Sequence, residues 1–331
     1  MVQYSPWRKR ARLVHGYFRG LPMWCAWQVT YRCNFRCAIC DYWRLKPDPA
    51  AEQTVEQIEE GAKRLGRISS FLISIAGGES LLRRDLPEIV RAMARYHFPL
   101  VTTNGWLVTE QLARELWEAG LWGVSVSIDY ADAAKHDAQR GVKGAFERAV
   151  EAVRILVRTR TQPYQRVNVM AVLTGDNLGE MEKLLELSGR LGAWFMVQPY
   201  SSAKTGSEAY LAKPPVSETL LKLRKRYRHF LSNPEFLRKF DEALNGGVPG
   251  CLAGRAFFNI DNYGYIAPCV EMRSRAVGRI YDAPPAKLLS ALRRATRGNR
   301  CKSCWYNCRG EIEALYTFKG ALHSLPTLLF T

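Results

Sequence analysis

The chain is expected to fold as an α/β protein, a partial (β/α)6 TIM-type barrel followed by a small cysteine-rich C-terminal domain. Three observations predict this. Between Trp24 and Gln198 short apolar runs alternate with longer amphipathic stretches, the pattern of βα units on a parallel sheet. Six such runs occur, too few for a closed eight-stranded barrel. After Pro199 the rhythm breaks, and five of the nine cysteines then fall in the 58 residues from Cys251 to Cys308.

Residues 1–23 form a basic N-terminal segment. Within it Trp7, Ala11, Val14 and Phe18 recur at helical spacing, while Arg8, Arg12, His15 and Arg19 share an adjoining face. Such a helix can make a peripheral membrane contact through residues 4–19 or cap the open barrel; the cap is the preferred reading. The barrel is placed at 24–235. Its strands are predicted at Trp24 to Thr30, Phe71 to Ala76, Pro99 to Thr103, Trp122 to Ile128, Arg166 to Leu173 and Ala193 to Gln198, each bounded by polar, Gly or Pro residues. Helical faces lie between them. Val55, Ile58, Ala62 and Leu65 make one, and others run through Leu86 to Tyr96, Glu110 to Ala119, Ala145 to Val157 and Leu178 to Leu191. A loop, SSAKTGSEAYLAKPP, and a basic helical stretch from Ser217 to Leu231 follow. The second domain is placed at 246–325, with short strands at Phe257 to Asn262 and Tyr265 to Ala267 around Gly264. The closing LHSLPTLLFT is apolar and is expected to dock on the body or on a partner.

Composition sets further bounds. A chain of 331 residues that is 47% apolar buries a large core without disulfides. No run of about 18 apolar residues occurs, and the N-terminus lacks a secretory apolar stretch, so a cytoplasmic location is expected. Nine cysteines there indicate metal or redox chemistry, and an odd count cannot pair completely. The net charge of +17 favours anionic partners. KLRKRYRH invites a nucleic-acid reading, but no RNA-binding motif accompanies it, so nucleic acid is not expected.

Cys33, Cys37 and Cys40 stand as C-x3-C-x2-C in TYRCNFRCAICDYW, directly after the first predicted strand. Spacing this tight can wrap one metal centre. A zinc ion asks for a fourth protein ligand, and Asn34, Phe35 and Ala38 offer none, although Asp41 and distant groups stay open. Three thiolates suit a four-iron, four-sulfur cluster with one iron left for a small chelating molecule. In these residues the chain resembles the radical S-adenosylmethionine (SAM) superfamily, whose signature is this loop after the first strand of a partial barrel. Ile39 departs from the aromatic residue common before the third cysteine. The resemblance implies a [4Fe-4S] cluster on the three thiols, SAM chelated to its open iron, reductive cleavage to a 5′-deoxyadenosyl radical, and abstraction of a substrate hydrogen.

Smaller signals follow the later strands. Ala76-Gly77-Gly78-Glu79-Ser80 resembles the family's GGE motif: the glycines let backbone approach a ligand, and Glu79 accepts from the methionine ammonium. Asn104 closes strand three. Ser125, Ser127 and Asp129 alternate along strand four and share a face expected to meet SAM or substrate. KHDAQRG resembles the loop after strand four in peptide-modifying relatives, which implies that Arg140 contacts the SAM carboxylate; His136 reads as a surface-loop histidine. Asn168, Thr174, Gln198 and Tyr200 are candidate ribose or substrate contacts, because ligands gather at the C-terminal ends of parallel strands.

Cys251 and Cys269 bracket Gly264 as C-x12-G-x4-C, and Cys301, Cys304 and Cys308 follow as C-x2-C-x3-C. Both halves resemble the SPASM/Twitch extension of radical SAM enzymes. The second half is shorter than the full SPASM pattern, so the resemblance implies one auxiliary [4Fe-4S] cluster. Its ligands would be Cys251, Cys269, Cys301 and Cys304, with Cys308 a substitute ligand or, if free, a catalytic hydrogen-atom donor. Cys25, inside the first strand, reads as a small buried hydrophobe.

The function so implied is radical modification of a peptide or small metabolite by oxidation, cross-linking or epimerisation, with flavodoxin or ferredoxin as reductant. No leader-binding winged-helix module precedes the barrel, which weighs against a ribosomal-peptide substrate. An RNA-modifying radical SAM enzyme and a non-catalytic zinc or iron-sulfur protein are the alternatives.

Overall fold

A computed structural model of the chain describes residues 4–323. A strand packed under helices must be apolar at every second residue, and the six predicted runs meet that condition, as Val167, Val169, Ala171 and Leu173 show in the main core. They form β1 (Trp24–Thr30), β2 (Leu72–Gly77), β3 (Phe98–Thr103), β4 (Gly123–Ser127), β5 (Arg166–Leu173) and β6 (Trp194–Pro199), paired in chain order and all parallel. Each lies within two residues of its predicted bounds. The helices α2 (Val55–Ile68), α3 (Leu86–Ala94), α4 (Glu110–Glu118), α5 (Ala133–Arg140), α6 (Ala145–Thr159) and α7 (Met181–Arg190) occupy the connections, after an N-terminal α1 (Pro6–Phe18). α2 begins with a capping box in which Thr54 and Gln57 each satisfy the other's backbone N–H.

The C-terminal part continues the same sheet. β7 (Phe257–Ile260) pairs in parallel with β1, and β8 (Ile266–Ala267) turns back antiparallel to it, giving eight strands in the order β6-β5-β4-β3-β2-β1-β7-β8. One core runs through both predicted parts, joining Phe195 and Val169 to Phe258, Ile260, Leu288 and Trp305. The helices here are α8 (Ser217–Arg226), α9 (Pro234–Arg238), α10 (Phe240–Leu244), α11 (Pro285–Ala295) and α12 (Asn307–Ala314).

Three expectations need correction. KHDAQRG is not a loop: α5 runs through it, capped by Asp132 and stopped at Gly141 in the left-handed region (φ 69°). His136 is accordingly buried, accepts the Asp129 N–H at 3.2 Å, and is held neutral as burial pushes its pKa down to about 3. The basic helix ends at Arg226, short of Leu231, and three of its cations are engaged: Arg226 pairs with Glu182, Lys222 with Glu218 at 2.7 Å, and Arg224 donates to the Ser232 carbonyl at 3.2 Å.

α1 does cap the barrel, but not through its apolar stripe. Leu13 and Gly16 are its buried residues, while Lys9 donates to the Ala94 and His97 carbonyls at 2.9 and 3.3 Å and Arg12 to the Gly66 carbonyl at 2.6 Å. The expected docking of LHSLPTLLFT falls, from residue 324 on, outside the described residues.

Candidate active site

The loop after β1 carries Cys33, Cys37 and Cys40. Buried Phe35 anchors it edge-on against Trp106 with ring centres 5.7 Å apart, and the three cysteines pack with Phe35, Ile39 and Tyr200 in one cluster. Two glycines let the loop close. A Cβ on Gly77 would sit 1.8 Å from the Thr30 oxygen, and one on Gly78 2.1 Å from the Arg32 oxygen. The approach they permit is backbone to backbone: Gly78 N–H bonds the Thr30 carbonyl at 2.9 Å, and Glu79 N–H bonds the Arg32 carbonyl at 2.8 Å. The cysteine loop therefore leans on the Gly-Gly turn.

Glu79 is buried and serves the same junction. Its carboxylate accepts from Thr103 Oγ1 at 2.8 Å, Asn104 N–H at 2.7 Å and Leu81 N–H at 3.1 Å, while burial raises its pKa. Asn104 in turn donates to Asn34 Oδ1 at 2.8 Å, which ties the end of β3 to the cysteine loop. Glu79, Gly78 and Asn104 stand behind the cavity wall, and Thr174 is turned away from it towards Tyr130 and Asp176.

The wall encloses a cavity of about 470 Å³ along the barrel lumen. The alternation of strand side chains fills it: Gln28, Ser74, Ser125, Asn168, Met170 and Gln198 all point inward. Cys37, Cys40, Gly77, Ser127, Arg140 and Tyr200 line its upper end, at the C-terminal ends of the strands. Trp24, Leu72, Leu100, Trp122 and Leu315 form an apolar floor.

Asp129 is fully buried behind the wall. It accepts from the Val172 N–H at 2.8 Å and from Arg140 at 2.5 Å, so it positions the guanidinium and does not face the lumen. Arg140 reaches Cys37 Sγ at 4.0 Å and keeps a buried Nε with no acceptor. Asn168 donates to Ser125 Oγ at 3.2 Å and leaves its own carbonyl oxygen unpaired. Burial pushes the Cys33 thiol up to about 12 and raises Cys37, with the neighbouring thiols adding to both. Burial thus disfavours the thiolates of Cys33 and Cys37, and the cavity that Cys37 lines also holds the unpaired Nε of Arg140 and the unpaired carbonyl of Asn168.

Each of the five C-terminal cysteines lies near enough to another to feel its charge or share a hydrogen bond. Cys251 and Cys301 share a hydrogen bond that holds Cys301 as the thiolate, down to about 5, and its partner as the thiol. Burial pushes Cys269 up to about 11 and Cys304 up to about 12; Cys304 also feels the charge of Cys269, and Cys269 that of Cys301. A metal bound by these thiols would have to displace their protons. Fully buried Arg309 braces the region, donating to the Cys304 and Val248 carbonyls at 2.7 Å each and to Glu313 at 3.1 Å. Of the five, Cys308 alone lines the lumen, beside Asn307, whose N–H donates to Gln198 Oε1 at 3.2 Å. Among the described residues, no three His, Cys, Asp or Glu side chains converge as they would on a single ion. Cys25 is completely buried in the main core.

The radical SAM superfamily profile matches residues 27–188, from β1 to α7. An AdoMet-dependent heme synthase of Methanosarcina barkeri is 30% identical over 290 residues, covering 80% of each chain. The chain belongs to the radical SAM superfamily. It is an enzyme of a family that works with SAM and a [4Fe-4S] cluster. Mycofactocin maturase MftC of Mycolicibacterium smegmatis is 27% identical over 340 residues, covering 93% of this chain and 83% of its own. Among solved structures, Streptococcus suis SuiB bound to precursor peptide SuiA superposes with a TM-score of 0.67 at 15% identity, covering 94% of this chain and 77% of that one. Native anSMEcpe with bound AdoMet gives 0.62 at 18%, covering 84% and 83%. At such identities the two structures speak for the fold, which is the expected partial barrel.

Residues that the motifs did not disclose also face the lumen: Arg166, Lys204, Arg224, Glu271 and Glu311. Arg166 was detectable, since it opens a strand whose next inward residue is Asn168. Glu311 was not, because α12 carries no apolar repeat.

Proposed function

We propose that the enzyme modifies a peptide substrate by hydrogen-atom abstraction in the barrel lumen. The carrying observation is that Cys37, Cys40 and Cys308 open on one cavity, which joins the cysteine loop to the C-terminal cysteines. The peptide class is supported by MftC, named a maturase, and by the SuiB and anSMEcpe complexes with bound peptides. Cys33, Cys37 and Cys40 would hold the SAM cluster. Arg140, steadied by Asp129, would take the SAM carboxylate, and Ser127, Asn168 and Gln198 would contact its ribose or the substrate. When bound, the cluster and SAM supply one-electron C–S cleavage and a 5′-deoxyadenosyl radical.

Cys251, Cys269, Cys301 and Cys304 would hold one auxiliary [4Fe-4S] cluster, leaving the Cys308 thiol towards the substrate. In that role Cys308 gives a hydrogen atom to the substrate radical, and one electron from flavodoxin or ferredoxin plus one proton restores the thiol. Residues 24–235 are proposed as the barrel and 246–325 as the auxiliary unit, with a cytoplasmic location. No helix among the described residues is long and apolar enough to cross a membrane. The test is iron content with SAM turnover. Anaerobic reconstitution should load about eight irons per chain, as two four-iron centres require, with release of 5′-deoxyadenosine. Stoichiometric zinc in place of iron overturns the proposal.

A further inference from the structure

α1 turns its apolar stripe away from the protein. Trp7 and Phe18 are eleven residues apart, three helical turns plus about 20°, so they share one face roughly 16 Å long with Ala11 and Val14. Trp7 is 79% exposed and Phe18 76%. The opposite face supplies Leu13, Gly16, Lys9 and Arg12 to the barrel, so rotating the helix to bury the stripe would break those contacts.

A second stripe adjoins the first. Phe318 and Leu322, one turn apart in the helical residues 318–323, are 81% and 60% exposed. The ring of Tyr17 lies 5.3 Å from Phe18 and 5.3 Å from the exposed Tyr316, two residues before Phe318. Isolated exposed apolar residues are ordinary; a helix stripe linked through Tyr17 to Tyr316, with Phe318 and Leu322 exposed just beyond it, forms a patch that calls for a partner.

The charge around the patch identifies that partner. Residues 1–20 hold five Lys and Arg and no Asp or Glu, and residues 314–331 hold no acid either. Arg8 and Arg19 lie exposed beside the first stripe, Arg293 reaches the Gly20 carbonyl, and Arg255 and Arg293 both act on Tyr316. Aromatic rings flanked by arginines, with no acid among them, match the interface of an anionic bilayer, where rings enter the headgroup boundary and cations meet phosphate. We propose that α1 and residues 316–323 dock this end of the barrel on an anionic membrane surface. The proposal is independent of the radical chemistry above.

Co-sedimentation of the reconstituted full chain with vesicles tests it. The wild type should pellet with phosphatidylglycerol vesicles and stay in solution with phosphatidylcholine vesicles. Trp7→Ser with Phe18→Ser should weaken partitioning at least about tenfold, given the apolar area withdrawn. Arg8→Glu with Arg19→Glu should lose the preference for phosphatidylglycerol. Both variants should keep the wild-type circular dichroism spectrum, since all four side chains are exposed. Wild-type protein that ignores both vesicles, or serine variants that pellet equally well, overturns the proposal. A dimer without lipid that Trp7→Ser and Phe18→Ser convert to monomer would assign the face to a second copy instead. Binding that emerges only after deletion of residues 324–331 would assign it to that segment.

Discussion

Cys33, Cys37 and Cys40 hang from a strand end in a loop shaped by its neighbours: Phe35 on Trp106, Gly77 and Gly78 against the chain after β1, and Asn104 on Asn34. The five C-terminal cysteines sit between short strands and short helices, braced by one buried cation, Arg309, on two carbonyls and Glu313. The first set borrows rigidity from the regular βα frame. The second depends on a single polar hub and on whatever the sulfurs bind. Removing ligands from the first set should therefore cost activity without stability, and damage to the hub of the second should cost both.

The sharpest way to break this contrast is Cys40→Ala. The thiol contributes little packing of its own, so the melting temperature should change little, while 5′-deoxyadenosine release falls to background. Iron should drop from about eight to about four per chain, the auxiliary centre surviving. Deoxyadenosine release at the wild-type rate contradicts the ligand role.

Arg309→Met tests the other region. It leaves Glu313 buried without its cation and two carbonyls without their donor, a loss of roughly 3–5 kcal/mol. The prediction is selective loss of auxiliary iron, with SAM still bound by the barrel. If both clusters disappear together, the two regions fold as one unit and the contrast fails.

Asp129→Asn should have a smaller effect. Asparagine can still accept from the Val172 N–H but leaves Arg140 without its counter-charge, at about 2–3 kcal/mol. If Arg140 serves the SAM carboxylate, KM for SAM should rise more than kcat falls. An unchanged KM would assign Arg140 to the cysteine loop alone.

How much of this could be read from residues alone follows the same contrast. Strands buried on both faces announce themselves as apolar runs, and C-x3-C-x2-C announces a centre by spacing, because both are local patterns. α5 was missed since AAKHDAQR is short and polar, with capping by Asp132 and Gly141 in place of periodicity. The Gly-Gly turn was read as a ligand cradle because sequence does not show which backbone comes close. The stripe of α1 was found but its direction was not. Periodicity reports that one face is apolar; here Lys9 and Arg12, bonded to barrel carbonyls, turn that face outward.

Glu311 carries the smallest prediction and tests whether the lumen's α12 wall is as dry as the core behind it. Its carboxylate accepts the Asn233 N–H at 3.2 and 3.1 Å, and burial pushes its pKa up to about 7 from 4.5, against the lowering effects of Asn233, Ser232 and Arg224. The folded state thus holds this proton more tightly than the unfolded state does. Below pH 4.5 both states are protonated and the residue costs nothing; stability falls as pH rises towards 7, and above that the full cost is present. Because the side chain is only half-buried against the cavity, that cost is about 2 kcal/mol, below the value the whole shift would imply. Glu311→Gln keeps an acceptor for Asn233 and removes the charge. It should therefore melt above the wild type at pH 8 and with it at about pH 3, well below the unfolded-state value. Equal melting at both values would show that the carboxylate is solvated, and that the wall of the lumen formed by α12 admits water as freely as its mouth.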